Sequence, residues 1–187
     1  PMNAIMGYAQ LMEDELKGKE LPETSEHLEK LRQSGKILLS IINNVLDMAR
    51  IESGRMEIDE NYAQIEDIWQ NLFEIFEDEA KKKKIVFHYK VDVDHKHILT
   101  DITKVEEIFV NIMSNAMKYT LSGGSVTVNV DELPCEESGY IVVQTRVSDT
   151  GIGMSQDYLT KIFEPFTREQ STTKSKITGT GLGMSIV

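Results

Sequence analysis

The chain of 187 residues has one cysteine, one tryptophan and four prolines, and no long apolar run. A single thiol excludes an internal disulfide, and a reducing compartment is the simple inference. That thiol, Cys135, lies in a polar stretch from Glu132 to Gly139 that reads as a hairpin loop. A membrane helix needs about 18 consecutive apolar residues, and a signal peptide needs a charged start and an apolar core. Neither pattern is present, so no membrane contact is expected of this segment. Basic residues are also short: 20 Lys and Arg stand against 31 Asp and Glu, a net charge of −11. Nucleic acid and anionic membranes are met by basic faces, so neither is expected as the main partner, although a single phosphate ligand stays open. The one basic run, Lys81 to Lys84, reads as a solvated helix end leading into a strand. His27, His88, His95 and His97 have no companions at metal-ligand spacing, and His95-Lys-His97 reads as polar surface.

What is present is an ordinary globular composition, 40% apolar and 27% charged, with room for one sizeable domain and a smaller element. Between 27 and 52, Leu28, Leu31, Gly35, Leu38, Ile42, Val45 and Ala49 follow a 3-4-3-4 spacing that predicts a coiled-coil seam. Ile37, Ile41, Met48 and Ile51 widen that stripe beyond what one partner helix covers. Met2, Ile5, Ala9, Met12 and Leu16 form a shorter amphipathic stretch, and Lys17 to Thr24 supplies the Gly, Pro and charge of a turn. An antiparallel hairpin that cannot bury both faces predicts a homodimer through a four-helix bundle; packing on the downstream domain is the alternative.

Gly54 suits a helix C-cap, which places a boundary near 53 to 56 and divides the chain into 1–54 and 55–187. Beyond it, Met56 to Ile58 reads as a short strand, and Ile65, Ile68, Trp69, Leu72, Phe73 and Phe76 share a helix face. Ile85 to Val91 reads as a strand, 102–119 as a helix, and the alternating runs Val126 to Val130 and Ile141 to Val147 as a β-hairpin. The pattern predicts an α+β fold, helices on one face of a mixed sheet.

Chemistry-bearing residues fall in three places. On the helix 102–119, Glu107, Asn111 and Asn115 recur every four residues, beside apolar Ile108, Phe109, Ile112 and Met113. Two amides in register either satisfy neighbouring backbone or offer hard, neutral oxygen to Mg²⁺ that already carries phosphate. Lys118 shares their face and could meet phosphate charge. Ser148-Asp-Thr-Gly-Ile-Gly153 follows a strand; it is either a strand-ending turn or a site where Asp149 accepts from an exocyclic amino group, as on adenine and not on guanine. Residues 167–178 are polar and read as a lid between Phe163-Glu-Pro-Phe166 and Gly179-Thr-Gly181-Leu-Gly183. Those glycines precede a helix start and would aim N–H groups at phosphate. The P-loop, the protein-kinase motif set and the dinucleotide fingerprint are absent.

Taken in order, Asn111 to Tyr119, Asp149 to Gly153, Phe163 to Phe166 and Gly179 to Gly183 closely resemble the four nucleotide-binding boxes of sensor histidine kinases. Pro1 to Tyr8 resembles the sequence just after the phosphoacceptor-histidine box, so the resemblance covers nearly the whole chain. It implies a dimerisation and histidine-phosphotransfer hairpin at 1–54 and a Bergerat-type ATP-binding α/β sandwich at 55–187. It further implies Mg²⁺ on Asn115, with Asn111 organising metal and phosphates. Lys118 and Tyr119 would contact nucleotide, and Asp149 would read adenine in a pocket shaped by Gly151 and Gly153. Gly179, Gly181 and Gly183 would embrace the phosphates, Phe163 and Phe166 would anchor the lid, and Arg168 would reach the γ-phosphate. Two departures matter: the phosphoacceptor histidine and its acidic neighbour would precede Pro1, and the chain stops at Val187 within a helix that the family continues. The chain therefore reads as a fragment truncated at both ends, with no phosphoacceptor of its own.

The resemblance implies an ATP-dependent histidine autokinase core that passes phosphate to a response-regulator receiver domain. It would be cytoplasmic, or the cytoplasmic part of a membrane sensor. The alternative is a dimeric nucleotide-binding interaction module without phosphotransfer. A gyrase- or chaperone-type ATPase fits less well, because those proteins place a glutamate base where Asn111 stands, and an amide cannot take a proton from water.

Overall fold

The computed structural model describes residues 2–16, 22–169 and 180–187. It divides between Met56 and Glu57 into two compact units.

The first unit comprises α1 (Met2–Leu16) and α2 (Pro22–Glu52), which pack against each other. α2 begins at Pro22, inside the stretch expected to form the turn, because proline is well suited to the first turn of a helix. The rest of that expected turn, 17–21, lies outside the described residues. The buried positions described here are small, Ala9 and Gly35, whereas Tyr8, Leu11, Leu31, Ile37, Leu38, Ile42 and Val45 are exposed. Of the long apolar side chains of the expected seam, Leu28 is half-buried and Leu31, Leu38, Ile42 and Val45 are exposed within this unit. At the end of α2, Gly54 takes φ +64° and donates its N–H to Ile51 at 3.0 Å, while Arg55 N–H reaches Arg50 at 2.9 Å. These bonds satisfy terminal carbonyls through a left-handed residue, the reason for glycine at that position.

The second unit is an α+β domain, as expected. In chain order it contains β1 (Asn61–Gln64), α3 (Ile65–Lys83), β2 (Val86–Asp92), β3 (His97–Thr100) and α4 (Ile102–Tyr119), then β4 (Ser125–Leu133), β5 (Val142–Asp149), α5 (Gln156–Leu159) and α6 (Gly183–Ile186). β4 is the centre of a mixed three-stranded sheet, parallel to β2 and antiparallel to β5. Val126, Val128 and Val130 alternate with Thr127, Asn129 and Asp131, and all three valines are fully buried. The period of two therefore puts one face against helices and leaves polar residues on the other. α3 lays Ile65, Ile68, Trp69, Leu72, Phe73 and Phe76 on the valine face, and α4 adds Phe109, Met113, Ala116 and Met117. Trp69 meets Phe109 edge-on at 4.9 Å, and Phe73 stacks on Tyr89 at 4.1 Å. Truncating an aromatic in such a core costs about 3–5 kcal/mol.

The strand expected at Met56–Ile58 does not form. Residues 55–60 are irregular, Ile58 is exposed, and pairing starts only at Asn61, where β1 runs antiparallel to β3 with Tyr62 opposite Leu99. A strand exists only where a partner lies alongside, and β3 ends opposite Asn61. Lys81 to Lys83 form the last turn of α3, where cations favour the helix dipole, and Lys84 caps it at φ +58°. His95 serves structure: its Nδ1 lies 2.7 Å from Glu132 Oε1, while the other oxygen of Glu132 accepts from the N–H groups of Asp94 and His95. No helix among the described residues is long and apolar enough to cross a membrane.

Asp101 sets the start of α4. Its Oδ1 accepts from Lys104 N–H at 3.0 Å, capping the helix, and its Oδ2 accepts from Asp59 N–H at 3.0 Å, tying down the irregular segment before β1. These backbone donors, Asp59 first, hold the carboxyl below its usual value. A carboxyl depressed in the folded state stabilises the fold above its unfolded value and loses that contribution as pH falls through the folded one. Asp101→Ala is expected to lower the melting temperature at neutral pH, and the gap to the wild type should narrow below about pH 4. Thermal melts from pH 7 to pH 3 measure both.

Candidate functional site

α4 has two faces. Phe109, Met113, Ala116 and Met117 enter the core, and Asn111, Asn115 and Lys118 lie on the opposite side with the ion pair Lys104–Glu107 at 2.8 Å. Asn111 and Asn115 are half-buried, and among the described residues no hydrogen bond engages either side-chain amide. The reading in which these amides satisfy neighbouring backbone therefore fails. Lys118 is half-buried too, with Nζ 4.9 Å from the centre of the Tyr119 ring.

The C-terminal end of α4 is bonded to the turn after β5. Asp149 is the last residue of β5, opposite Val126, two residues later than the expected strand end at Val147. Its Oδ1 accepts from Gly151 N–H at 2.8 Å, and Ile152 N–H reaches the carbonyl of Tyr119 at 3.3 Å. A Cβ at Gly151 would stand 2.6 Å from both Asp149 Oδ1 and the Tyr119 carbonyl oxygen. Glycine at 151 therefore admits the protein's own backbone, a reason additional to the ligand approach expected from the sequence. Gly153 is required for its backbone, φ +68°, and a Cβ there would meet open space.

The third element approaches the other end of the stripe. A Cβ at Gly183, the first residue of α6, would stand 2.8 Å from Asn111 Oδ1. Gly181 takes φ +74°, and a Cβ there would stand 2.8 Å from the Thr167 carbonyl oxygen. Phe166, at φ +61°, donates its N–H to the Gly181 carbonyl at 2.9 Å, so the two flanks of the segment read as a lid are joined at their base. Phe163 and Phe166 are exposed and Arg168 is half-buried. Gly179 and most of the expected lid lie outside the described residues.

α4 thus brings Asn111 beside Gly183 and Tyr119 beside the Asp149–Gly151 turn. Asn115 and Lys118 fall between them on the same side. Sequence reasoning missed Ser125 and Thr150, whose bonds hold this turn to the sheet, and Thr120 and Gly124, which lie beside them. One signal was available in Gly123-Gly124: Gly123 takes φ +86°, but Gly124 does not need a positive φ and must be glycine for space. Among the described residues no group of three His, Cys, Asp or Glu could hold a metal. A divalent ion here would rely on amide oxygen together with oxygens of a ligand, which suits magnesium on a polyphosphate.

Two family models match the chain. Residues 1–54 match the His Kinase A (phospho-acceptor) domain, and residues 100–187 match the histidine kinase-, DNA gyrase B- and HSP90-like ATPase family. The chain belongs to the sensor histidine kinases. Among relatives of this kinase family, it is 33% identical over 189 residues to the autoinducer 2 sensor kinase/phosphatase LuxQ of Vibrio parahaemolyticus, covering all of this chain and 21% of that protein. It is 30% identical over 190 residues to the non-motile and phage-resistance protein of Caulobacter vibrioides, covering all of this chain and 22% of that one. The chain thus spans about a fifth of the length of these curated relatives. A crystal structure of full-length ShkA in complex with AMPPNP superposes with a TM-score of 0.76 at 30% identity, covering all of this chain and 36% of that one.

Gly151→Ala forces its methyl against two oxygens that position the turn, so it should displace Asp149 from the end of α4 and weaken nucleotide binding at least tenfold. Gly139→Ala, in the exposed loop between β4 and β5, has a strained backbone but open space around it and should leave binding unchanged. Titration of both variants with a fluorescent adenine nucleotide checks the contrast.

Proposed function

We propose that the chain is the core of a histidine autokinase that binds Mg-ATP along the outer face of α4. The γ-phosphoryl group would pass to a histidine of the parent protein's dimerisation helix, and then to an aspartate of a response-regulator receiver domain. The observation that carries this reading is the polar face of α4. It carries two unengaged amides, of which Asn111 adjoins the glycine start of α6 at one end, and the Asp149 turn is bonded to it at the other. Asn111 and Tyr119 lie about 12 Å apart along the helix axis, the scale of an extended nucleotide.

In this reading Asp149 Oδ2 accepts from the adenine amino group, because Oδ1 is already fixed by Gly151. Gly151 and Gly153 shape the pocket, and Tyr119 and Lys118 lie alongside the nucleotide. Asn115 would hold magnesium, Asn111 would order the phosphate end, and magnesium when bound would neutralise phosphate charge. Gly179, Gly181, Gly183 and Arg168 would close on the phosphates. Positioning and charge complementarity carry most of the barrier reduction in phosphoryl transfer, which suits a site of amides, backbone donors and one carboxylate. The AMPPNP bound to the related ShkA supports ATP as the nucleotide. The uncovered apolar residues of α2, Leu31, Leu38, Ile42 and Val45, support a homodimer through the hairpin.

Calorimetric titration of Mg-ATP should give binding that EDTA weakens, that Asn115→Ala reduces about tenfold or more, and that prefers ATP to GTP unless Asp149 is replaced by Asn. A folded chain that binds ATP equally well with EDTA, or binds GTP as tightly, would contradict the assignment.

A further inference from the structure

Asp149 can select a base only if its carboxylate occupies a fixed place, yet β5 has no ladder partner beyond Val126. The next pair in register would be Ser125 and Thr150, and it is made in an unusual way. Thr150 N–H donates to the Ser125 carbonyl at 3.0 Å, the first bond of an antiparallel pair. The second would run from Ser125 N–H to the Thr150 carbonyl; instead Ser125 N–H donates to the Thr150 hydroxyl at 2.8 Å. The side chain has taken the carbonyl's place, so pairing is completed one residue past Asp149 while the main chain is free to turn into Gly151. The hydroxyl also lies 3.4 Å from the Ser125 carbonyl oxygen, to which it can donate.

The surroundings are shaped for that hydroxyl. A Cβ at Gly124 would stand 2.8 Å from Thr150 Oγ1 and 2.7 Å from Thr120 Cγ2. Thr120 is buried and held by its own hydroxyl to the Ala116 carbonyl at 2.7 Å, so it cannot yield freely. Gly124 is thus needed for space, and the space is occupied by Thr150.

We propose that Thr150 is a positioning residue for purine selection: its hydroxyl terminates the β4–β5 ladder and so fixes the Asp149 carboxylate against adenine. The inference rests on the nucleotide-binding reading above and adds the residue that makes its selectivity geometric. Thr150 and Ser125 are bonded in an exposed position, where water replaces a lost hydroxyl at little cost to stability. Removing the hydroxyl therefore loosens the turn without unfolding the domain. Adenine recognition depends on its amino group donating to a fixed acceptor, and guanine binding gains nothing from it.

The test compares ATP and GTP affinities, with magnesium, for the whole chain as wild type and as Thr150→Val, Thr150→Ser, Gly124→Ala and Asp149→Asn. Thr150→Val and Gly124→Ala should each weaken ATP binding about three- to tenfold with GTP affinity unchanged, and Thr150→Ser should restore the wild-type ratio. An ATP preference that Asp149→Asn abolishes but Thr150→Val leaves intact overturns the role of Thr150 alone. Equal weakening of ATP and GTP in Thr150→Val also overturns it, since that marks general loosening of the fold. If the wild type itself shows no ATP preference, the nucleotide reading falls. Should Thr150→Val fail to fold, the ATP-to-GTP ratio of Thr150→Ala decides, since that variant removes the hydroxyl and adds no bulk beside Gly124.

Discussion

The burial of Phe109, Met113, Ala116 and Met117 against the valines of β4 and the aromatic residues of α3 is the contact on which the rest of this domain depends. It fixes the rotation of α4 about its axis, and with it the direction of every other side chain on the helix. With four positions committed to the core, Asn111, Asn115 and Lys118 can only face outward. Asp101 fixes where the helix starts, and Lys83 bonds the Met117 carbonyl near its end at 3.3 Å. The stripe is therefore set in both rotation and register by groups that take no part in binding.

The elements that meet the polar side of this helix do so by their ends: the turn after β5 at Tyr119, and the start of α6 at Asn111. Ends of strands and helices carry unpaired backbone groups, so a ligand can be met there without breaking a ladder. Glycine appears where two such ends approach closely, at 124, 151 and 183, and each would lose its neighbour's position if a methyl group were added. Selectivity in this arrangement comes from where a few donors and acceptors are held, and those places are set by main-chain contacts.

Much of this was legible from periodicity. The α4 range read from sequence coincides with the observed one, because its apolar residues repeat at helical spacing and Asp101 caps its start. β4 was legible from the alternation of Val with polar residues, and β5 from the period of two through Val143, Thr145 and Val147. β1 was not, since Asn-Tyr-Ala-Gln buries only Ala63 and takes its strand character from pairing with β3. The displaced expectation at Met56–Ile58 came from apolar residues that have no partner in this domain. At the site, the asparagine stripe, Asp149 and the glycines could be found as types at a spacing. The replacement of the Thr150 carbonyl by its hydroxyl could not, because it depends on where Ser125 lies, 25 residues away.

The central claim is that one ligand spans α4 from Asn111 to Tyr119 and engages the Asp149 turn with it. NMR titration of Mg-ATP into the labelled chain tests this most directly. The side-chain amides of Asn111 and Asn115 and the backbone amides of Gly151 and Ile152 should shift along one binding curve, with a single dissociation constant. Shifts at only one end of the helix, or two separate curves, would contradict it.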